Sequence, residues 1–171
     1  CIKTGCRWGP GETATLKDII MQNAVELCGA AVGYAKGYHV LNPANIKAGH
    51  ALMFVESSGV HANGLTLARS EETLARLPKG YLTEIGGGQN YGEAILTPTH
   101  LYSPLMKLCQ GMKIVYAINV TGHGLRKAMR APQSWTYVID SLPEPQPVFH
   151  AIQKYGDVTE EEMYRNYNMG V

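Results

Sequence analysis

The sequence predicts an α+β fold, a mixed sheet layered with helices, and three observations carry that reading. Apolar runs at residues 29–35, 51–56, 114–118 and 135–139 read as strands. Segments of helical spacing fall between and after them, without the strict alternation that winds a parallel sheet. The length of 171 residues, with 45% hydrophobic and 17% charged side chains, supplies a real core but no more than about a domain and a half.

Taken in order, the first fourteen residues end in Gly9-Pro10-Gly11-Glu12-Thr13 and punctuate rather than build. Leu16, Ile19, Ile20, Val25 and Leu27 recur at loose helical spacing, so a short helix over 16–28 feeds the strand at 29–35. Residues 37–50, with Asn42-Pro43, are a loop before the clearest strand, 51–56. The loop 57–64 leaves that strand for a helix marked by Leu65, Leu67, Ala68 and Leu74. Residues 78–90 are again loop, with Gly86-Gly87-Gly88 as the most flexible point. One helical turn is expected over 91–96, stopped by Pro98, and a short strand and helix broken by Pro104 over 101–109.

The strand at 114–118 runs into Thr121-Gly122-His123-Gly124, and a basic helix over 125–130 ends before Pro132. This repeats the strand, loop and helix order of residues 51–74. After the strand at 135–139, Pro143, Pro145 and Pro147 make a stiff connector to a helix over 148–155. Thr159 and Glu162 then match a capping box, in which each side chain satisfies the other's free backbone donor, and a last helix reaches about residue 167.

Fifteen Lys and Arg against fourteen Asp and Glu give a formal charge of +1, with no basic stripe to recruit nucleic acid. No apolar run approaches the ~20 residues that span a bilayer, and no signal segment opens the chain, so a cytosolic protein without membrane or nucleic-acid partners is expected. Cys1, Cys6, Cys28 and Cys109 lack the spacing of a zinc site and read as reduced thiols; no metal site is predicted. The chain opens on Cys1 and closes on Val171, which predicts a piece of something longer.

Two loops carry the chemistry. In 57–64, Gly59 and Gly64 let a ligand approach the backbone, Ser57, Ser58 and Asn63 add polar side chains, and His61 can move a proton near neutral pH. Phosphate is the natural guest; the plainer alternative is a tight turn with Asn63 capping the helix. The second loop offers Thr121 as a cap, Gly122 and Gly124 as open backbone, and His123. His39, His50, His100 and His150 lie apart and default to surface or capping roles.

Four ordered strings are more specific than either loop: Ser57-Ser58-Gly59-Val60-His61-Ala62-Asn63-Gly64, Tyr91-Gly92-Glu93-Ala94-Ile95-Leu96-Thr97-Pro98-Thr99, Val120-Thr121-Gly122-His123-Gly124-Leu125, and the run from Glu161 through Asn166-Tyr167-Asn168-Met169-Gly170-Val171. Together they resemble the C-terminal domain of the aminoimidazole ribonucleotide synthetase family, the phosphoribosylformylglycinamidine cyclo-ligases of purine synthesis. Gly11-Glu12-Thr13-Ala14 resembles the tail of that family's N-terminal domain.

The resemblance implies that residues 1–28 are the tail of an N-terminal ATP-binding domain with its linker, and residues 29–171 a substrate-side domain. It implies a homodimer that uses ATP and magnesium, both bound mainly by the N-terminal domain. In that reaction the amide oxygen of formylglycinamidine ribonucleotide is phosphorylated, and a nitrogen closes the ring on the activated carbon as phosphate leaves. His61 would then move a proton or touch phosphate. Ser57, Ser58, Gly59, Asn63 and Gly64 would position substrate, and Thr121, Gly122, His123 and Gly124 would make a second anion contact. The sequence departs from the family's His-Ile-Thr-Gly-Gly-Gly, having Asn119-Val120-Thr121-Gly122-His123-Gly124. It also has Thr15-Leu16-Lys17 where Met-Pro-Gly usually follows Glu-Thr-Ala. Two alternatives therefore stand beside the cyclo-ligase: a superfamily paralogue phosphorylating another substrate, and a non-catalytic nucleotide-binding or dimerisation module.

Overall fold

A computed structural model describes residues 1–36 and 40–171. The expectations for Gly37 and His39 lie outside the described residues. In chain order the helices are α1 (Leu65–Ala68), α2 (Glu71–Arg76), α3 (Tyr91–Ile95), α4 (Ser103–Leu108), α5 (Pro147–Gly156) and α6 (Glu160–Asn166). Strands β1 (Glu84–Gly86) and β2 (Gln89–Asn90) precede α3, and 3-10 turns occupy Ile2–Thr4, Pro43–Asn45, Gly80–Leu82 and Gly124–Arg130. The chain divides into one unit of residues 1–41 with 101–110, and a second of 42–100 with 111–171.

In the first unit the helix expected over 16–28 does not form. Ile19 and Ile20 amides reach the Leu16 carbonyl, but Asp18 and Asn23 adopt left-handed backbone, which ends the turn before a second can stack on it. Pro104 starts α4 rather than breaking it. It stands in the first turn, where its missing N–H would have had no partner anyway.

The second unit is built around α5. Its amphipathic face buries Val148, Phe149, Ala151 and Ile152, with Phe149 and Ile152 fully inaccessible. Each of these two contributes roughly 1.5–3 kcal/mol from burial. Tyr91 from α3, Met163 from α6 and Tyr167 close the same core. The Phe149 and Tyr167 rings meet edge to face, centroids 6.2 Å apart. The Tyr91 hydroxyl donates to the Ala68 carbonyl at 2.7 Å, joining α3 to α1.

Strands are where expectation and structure part. Residues 29–35, 51–56, 114–118 and 135–139 form no strand, and the sheet among the described residues is the antiparallel β1–β2 hairpin. The architecture is helical with a small sheet, still of mixed α and β type, and the layered mixed sheet is corrected to this. An apolar run marks a segment that can lie in a sheet, but a ladder also needs a neighbour's N–H and C=O groups. The alternating exposure of residues 132–140 keeps the period of a strand without the partner. Gly86-Gly87-Gly88, expected to be loose, is the tight end of the hairpin. Its three glycines all have positive φ, which two-residue hairpin turns require.

Both C-terminal helices follow local signals. The Thr159 hydroxyl accepts from the Glu162 amide at 3.2 Å while Glu162 Oε2 accepts from the Thr159 amide at 3.2 Å. Asn90 and Glu93 make the same reciprocal pair at the start of α3, a second capping box at the same three-residue spacing. Thr159→Ala is expected to lower stability by about 1 kcal/mol. A urea midpoint unchanged from the parent would show that the box does not hold α6.

Candidate functional site

Loop 57–64 is fastened at its start and folded back on itself. Ser57 is buried; its amide donates to the Gly170 carbonyl at 2.9 Å and its hydroxyl to Asn168 Oδ1 at 3.0 Å. Asn168 Nδ2 donates to the Gly59 carbonyl at 2.9 Å, and Gln146 Nε2 to the Ser57 carbonyl at 2.7 Å. The C-terminal Asn168-Met169-Gly170 string is thus the fastener of the first loop. Nothing local in the sequence marks Asn168 for this role, because 109 residues separate it from Gly59.

His61 sits in left-handed backbone, φ 58°, which turns its ring toward Ser58. The Ser58 amide donates to His61 Nε2 at 3.1 Å, and Ser58 Oγ lies 3.0 Å from the same nitrogen. Ser58 Oγ also donates to the Pro98 carbonyl at 2.7 Å. A nitrogen that accepts from an amide carries a lone pair, so the imidazole is neutral with its proton on Nδ1. Partial burial holds the His61 pKa below its ordinary value, and the nearby His100 lowers it further.

Gly64 ends the loop with φ 75° and packs under Tyr167, whose hydroxyl donates to the Gly64 carbonyl at 2.8 Å. A Cβ here would fall 2.1 Å from Tyr167 Cε1, so only glycine fits. Burial pushes the Tyr167 hydroxyl up to about 12, so it remains a donor at neutral pH. Gly64, not Asn63, occupies the N-cap of α1, and no side chain caps that helix. The Asn63 cap is therefore corrected. With four residues, α1 also has too few aligned peptides for the dipole argument that recommended an anion at its start.

In the second loop the Gly124 amide donates to the Thr121 carbonyl at 2.8 Å, closing a turn. His123, φ 82°, takes the N-cap of the 3-10 turn Gly124–Arg130 without a side-chain cap, so the expected cap at Thr121 is also corrected. The Thr121 hydroxyl accepts from Lys127 Nζ instead. In the sequence Lys127 is one of the basic residues of the helix expected over 125–130. Its turn toward Thr121 could not be seen without knowing that the helix is 3-10.

The structure brings the ends of the two loops together. A Cβ on Gly122 would stand 3.8 Å from Asn63 Oδ1. Asn63, Gly64 and Gly122 line one cleft of about 750 Å³, with Tyr167 and Asn166 beside them and Arg76 and Asp157, 3.6 Å apart, farther along. Ser58 faces a smaller cavity of about 160 Å³ beside Gly86, Gly87 and Gln146. Ser57 and Gly59 are buried and line neither. The cleft thus presents amide and hydroxyl groups with one cation, Arg76, and two carboxylates, Asp157 and Glu72, a lining that can bind a polar, sugar-sized ligand.

Among the described residues no group of three or more His, Cys, Asp or Glu side chains could hold a metal ion. No helix among them is long and apolar enough to cross a membrane.

Residues 47–171 match the family described as AIR synthase related protein, C-terminal domain. The phosphoribosylformylglycinamidine cyclo-ligase of Methanocaldococcus jannaschii is 36% identical over 165 residues, covering 94% of this chain and 46% of that protein. The protein of the same name from Methanococcus maripaludis is 34% identical over 163 residues, with coverages of 94% and 46%. That from Thermoanaerobacter sp. (strain X514) is 33% identical over 184 residues, covering 100% of this chain and 52% of its own length. The chain spans about half the length of the curated relatives it matches. With four motifs in order, two loops meeting at one cleft and a family match over most of its length, the chain belongs to the AIR synthase related proteins and carries their C-terminal domain.

Proposed function

We propose that this chain is the substrate-side, C-terminal part of a cytoplasmic, homodimeric, ATP-dependent phosphoribosylformylglycinamidine cyclo-ligase. The observation that carries the reading is the meeting of Asn63 and Gly122 at the mouth of a single cleft. Loops separated by almost sixty residues in sequence converge there, as a site for one extended nucleotide-type substrate requires. The names of the relatives supply the reaction.

Within that reaction His61 moves a proton or touches phosphate. Its neutral imidazole uses the Nε2 lone pair on the Ser58 amide, so taking a proton from substrate requires that bond to open first. Asn63 and Gly64 position substrate at the cleft, Ser57, Ser58 and Gly59 hold the loop that presents His61, and Thr121, Gly122, His123 and Gly124 contact the second anionic group. ATP and magnesium would be bound mainly by the N-terminal domain, and no step is routed through them here.

The test is turnover of formylglycinamidine ribonucleotide with ATP by the full-length protein. His61→Ala is expected to lower kcat/KM by about 10²-fold or more. Because its pKa is held below 6.5, the acid limb of the wild-type profile is expected below that pH, and the variant should lose it. The stability consequence has the same direction. Between the lowered folded value and the unfolded 6.5 the unfolded chain binds more protons, so this histidine's contribution is present above 6.5 and falls away in acid. Unchanged turnover in the variant would remove His61 from the mechanism. No turnover in wild type would favour the non-catalytic module or a paralogue with another substrate, and a monomer by light scattering would contradict the dimer.

A further inference from the structure

We propose that Lys127 and the Thr121 hydroxyl together grip a phosphate monoester beside Gly122; the proposal deepens the cyclo-ligase reading by assigning the second loop its charge. A 3-10 helix has three residues per turn, so side chains at i and i+3 eclipse. Gly124 and Lys127 therefore share a face of the turn Gly124–Arg130, and Gly124 is bonded back onto the Thr121 carbonyl at 2.8 Å. That closure places Lys127 Nζ against Thr121 Oγ1.

The donor arithmetic favours an oxyanion. The hydroxyl oxygen accepts one ammonium proton, which leaves its own O–H and the remaining ammonium protons free to donate. A cation on one side of a hydroxyl strengthens the bond it donates on the other. Lys127 is partly buried, and no carboxylate among the described residues pairs with it: Arg76 takes Asp157, Arg165 takes Glu161 and His150 takes Glu144. A partly buried ammonium held by a hydroxyl rather than a carboxylate is open to an anion as its counter-ion, and a dianion makes the stronger, charge-assisted bond.

The turn is also held rigidly. A Cβ on Gly124 would fall 1.9 Å from the Tyr164 carbonyl oxygen, so the loop is seated on backbone that cannot yield cheaply. Donors held in advance lose little freedom when the ligand arrives. Gly122, the next residue after Thr121, lines the cleft shared with Asn63, whereas Thr121 and Lys127 do not, so an anion gripped here sits beside that cleft at its Gly122 end.

The experiment uses the 15N-labelled full-length protein titrated with ribose 5-phosphate, with ribose as the control. In wild type the Gly122 and Gly124 amide signals are expected to move with ribose 5-phosphate and stay still with ribose. Affinity should fall a few-fold as salt rises from about 0.05 to about 0.5 M. Lys127→Met is expected to weaken binding by about 10-fold or more, Lys127→Arg to retain most of it, and Thr121→Val to fall between. Unfolding midpoints accompany each variant, and the wild-type titration decides the matter even if one of them unfolds. Amides that move equally with ribose, or a Lys127→Met protein that binds as wild type does, would overturn the grip. Lys127-dependent binding in a protein without cyclo-ligase turnover would support the grip and overturn the reaction; turnover with Lys127→Met binding intact would do the reverse.

Discussion

Gly124→Ala is expected to destabilise the protein by about 3–4 kcal/mol, the sum of left-handed strain and overpacking against backbone. At φ 55° an alanine Cβ would lie 1.9 Å from the Tyr164 carbonyl oxygen, 2.9 Å from its carbon and 3.2 Å from the Arg165 carbonyl carbon. A flexible side chain could swing away from such a contact. A carbonyl in α6 cannot move without loosening the helix that buries Met163. Gly111→Ala separates the two causes, because Gly111 has φ 96° but nothing within 4 Å of the added atom. It should show the conformational penalty alone, about 1 kcal/mol. Urea midpoints of the two variants are the measurement, and equal shifts would mean that the second loop does not rest on α6.

Asn168→Ala should cost a similar amount, about 3–5 kcal/mol, for a different reason. The side chain is 3% exposed and its amide serves three partners: it accepts from Ser57 Oγ and from the Gly170 amide, and donates to the Gly59 carbonyl. Truncation leaves all three groups in the interior without a partner. Ser57→Ala removes only one of these bonds and is expected to cost about 1 kcal/mol. In a double-mutant cycle the two should be strongly non-additive, since Ser57 has little left to lose once Asn168 is gone. The loop that presents His61 hangs from this network, so Asn168→Ala should also lower turnover while Ser57→Ala lowers it less. Additive losses would show that the network does not act as a unit.

Helices α3, α5 and α6 were legible because their causes are local. Thr159 and Glu162 stand three residues apart, and the apolar face of α5 is written in Val148, Phe149, Ala151 and Ile152. Leu16 to Leu27 carried a similar but looser pattern, and left-handed Asp18 and Asn23 were enough to defeat it. The strands misled for a reason of range. Their apolar patterns describe one side of a contact, and no residue within them names the partner.

The candidate site divides along the same line. The residue types of both loops, and the family whose motifs they carry, follow from the order of amino acids alone, because backbone-opening glycines, hydroxyls and imidazoles declare their chemistry wherever they fold. Which of them face the cleft was settled by packing: Asn63, Gly64 and Gly122 line it, Ser57 and Gly59 are buried in the fastening network, and Lys127 joins Thr121. Hydrogen bonds such as Asn168 to Gly59 close over more than a hundred residues, and a contact of that span becomes available only when the intervening helices have packed.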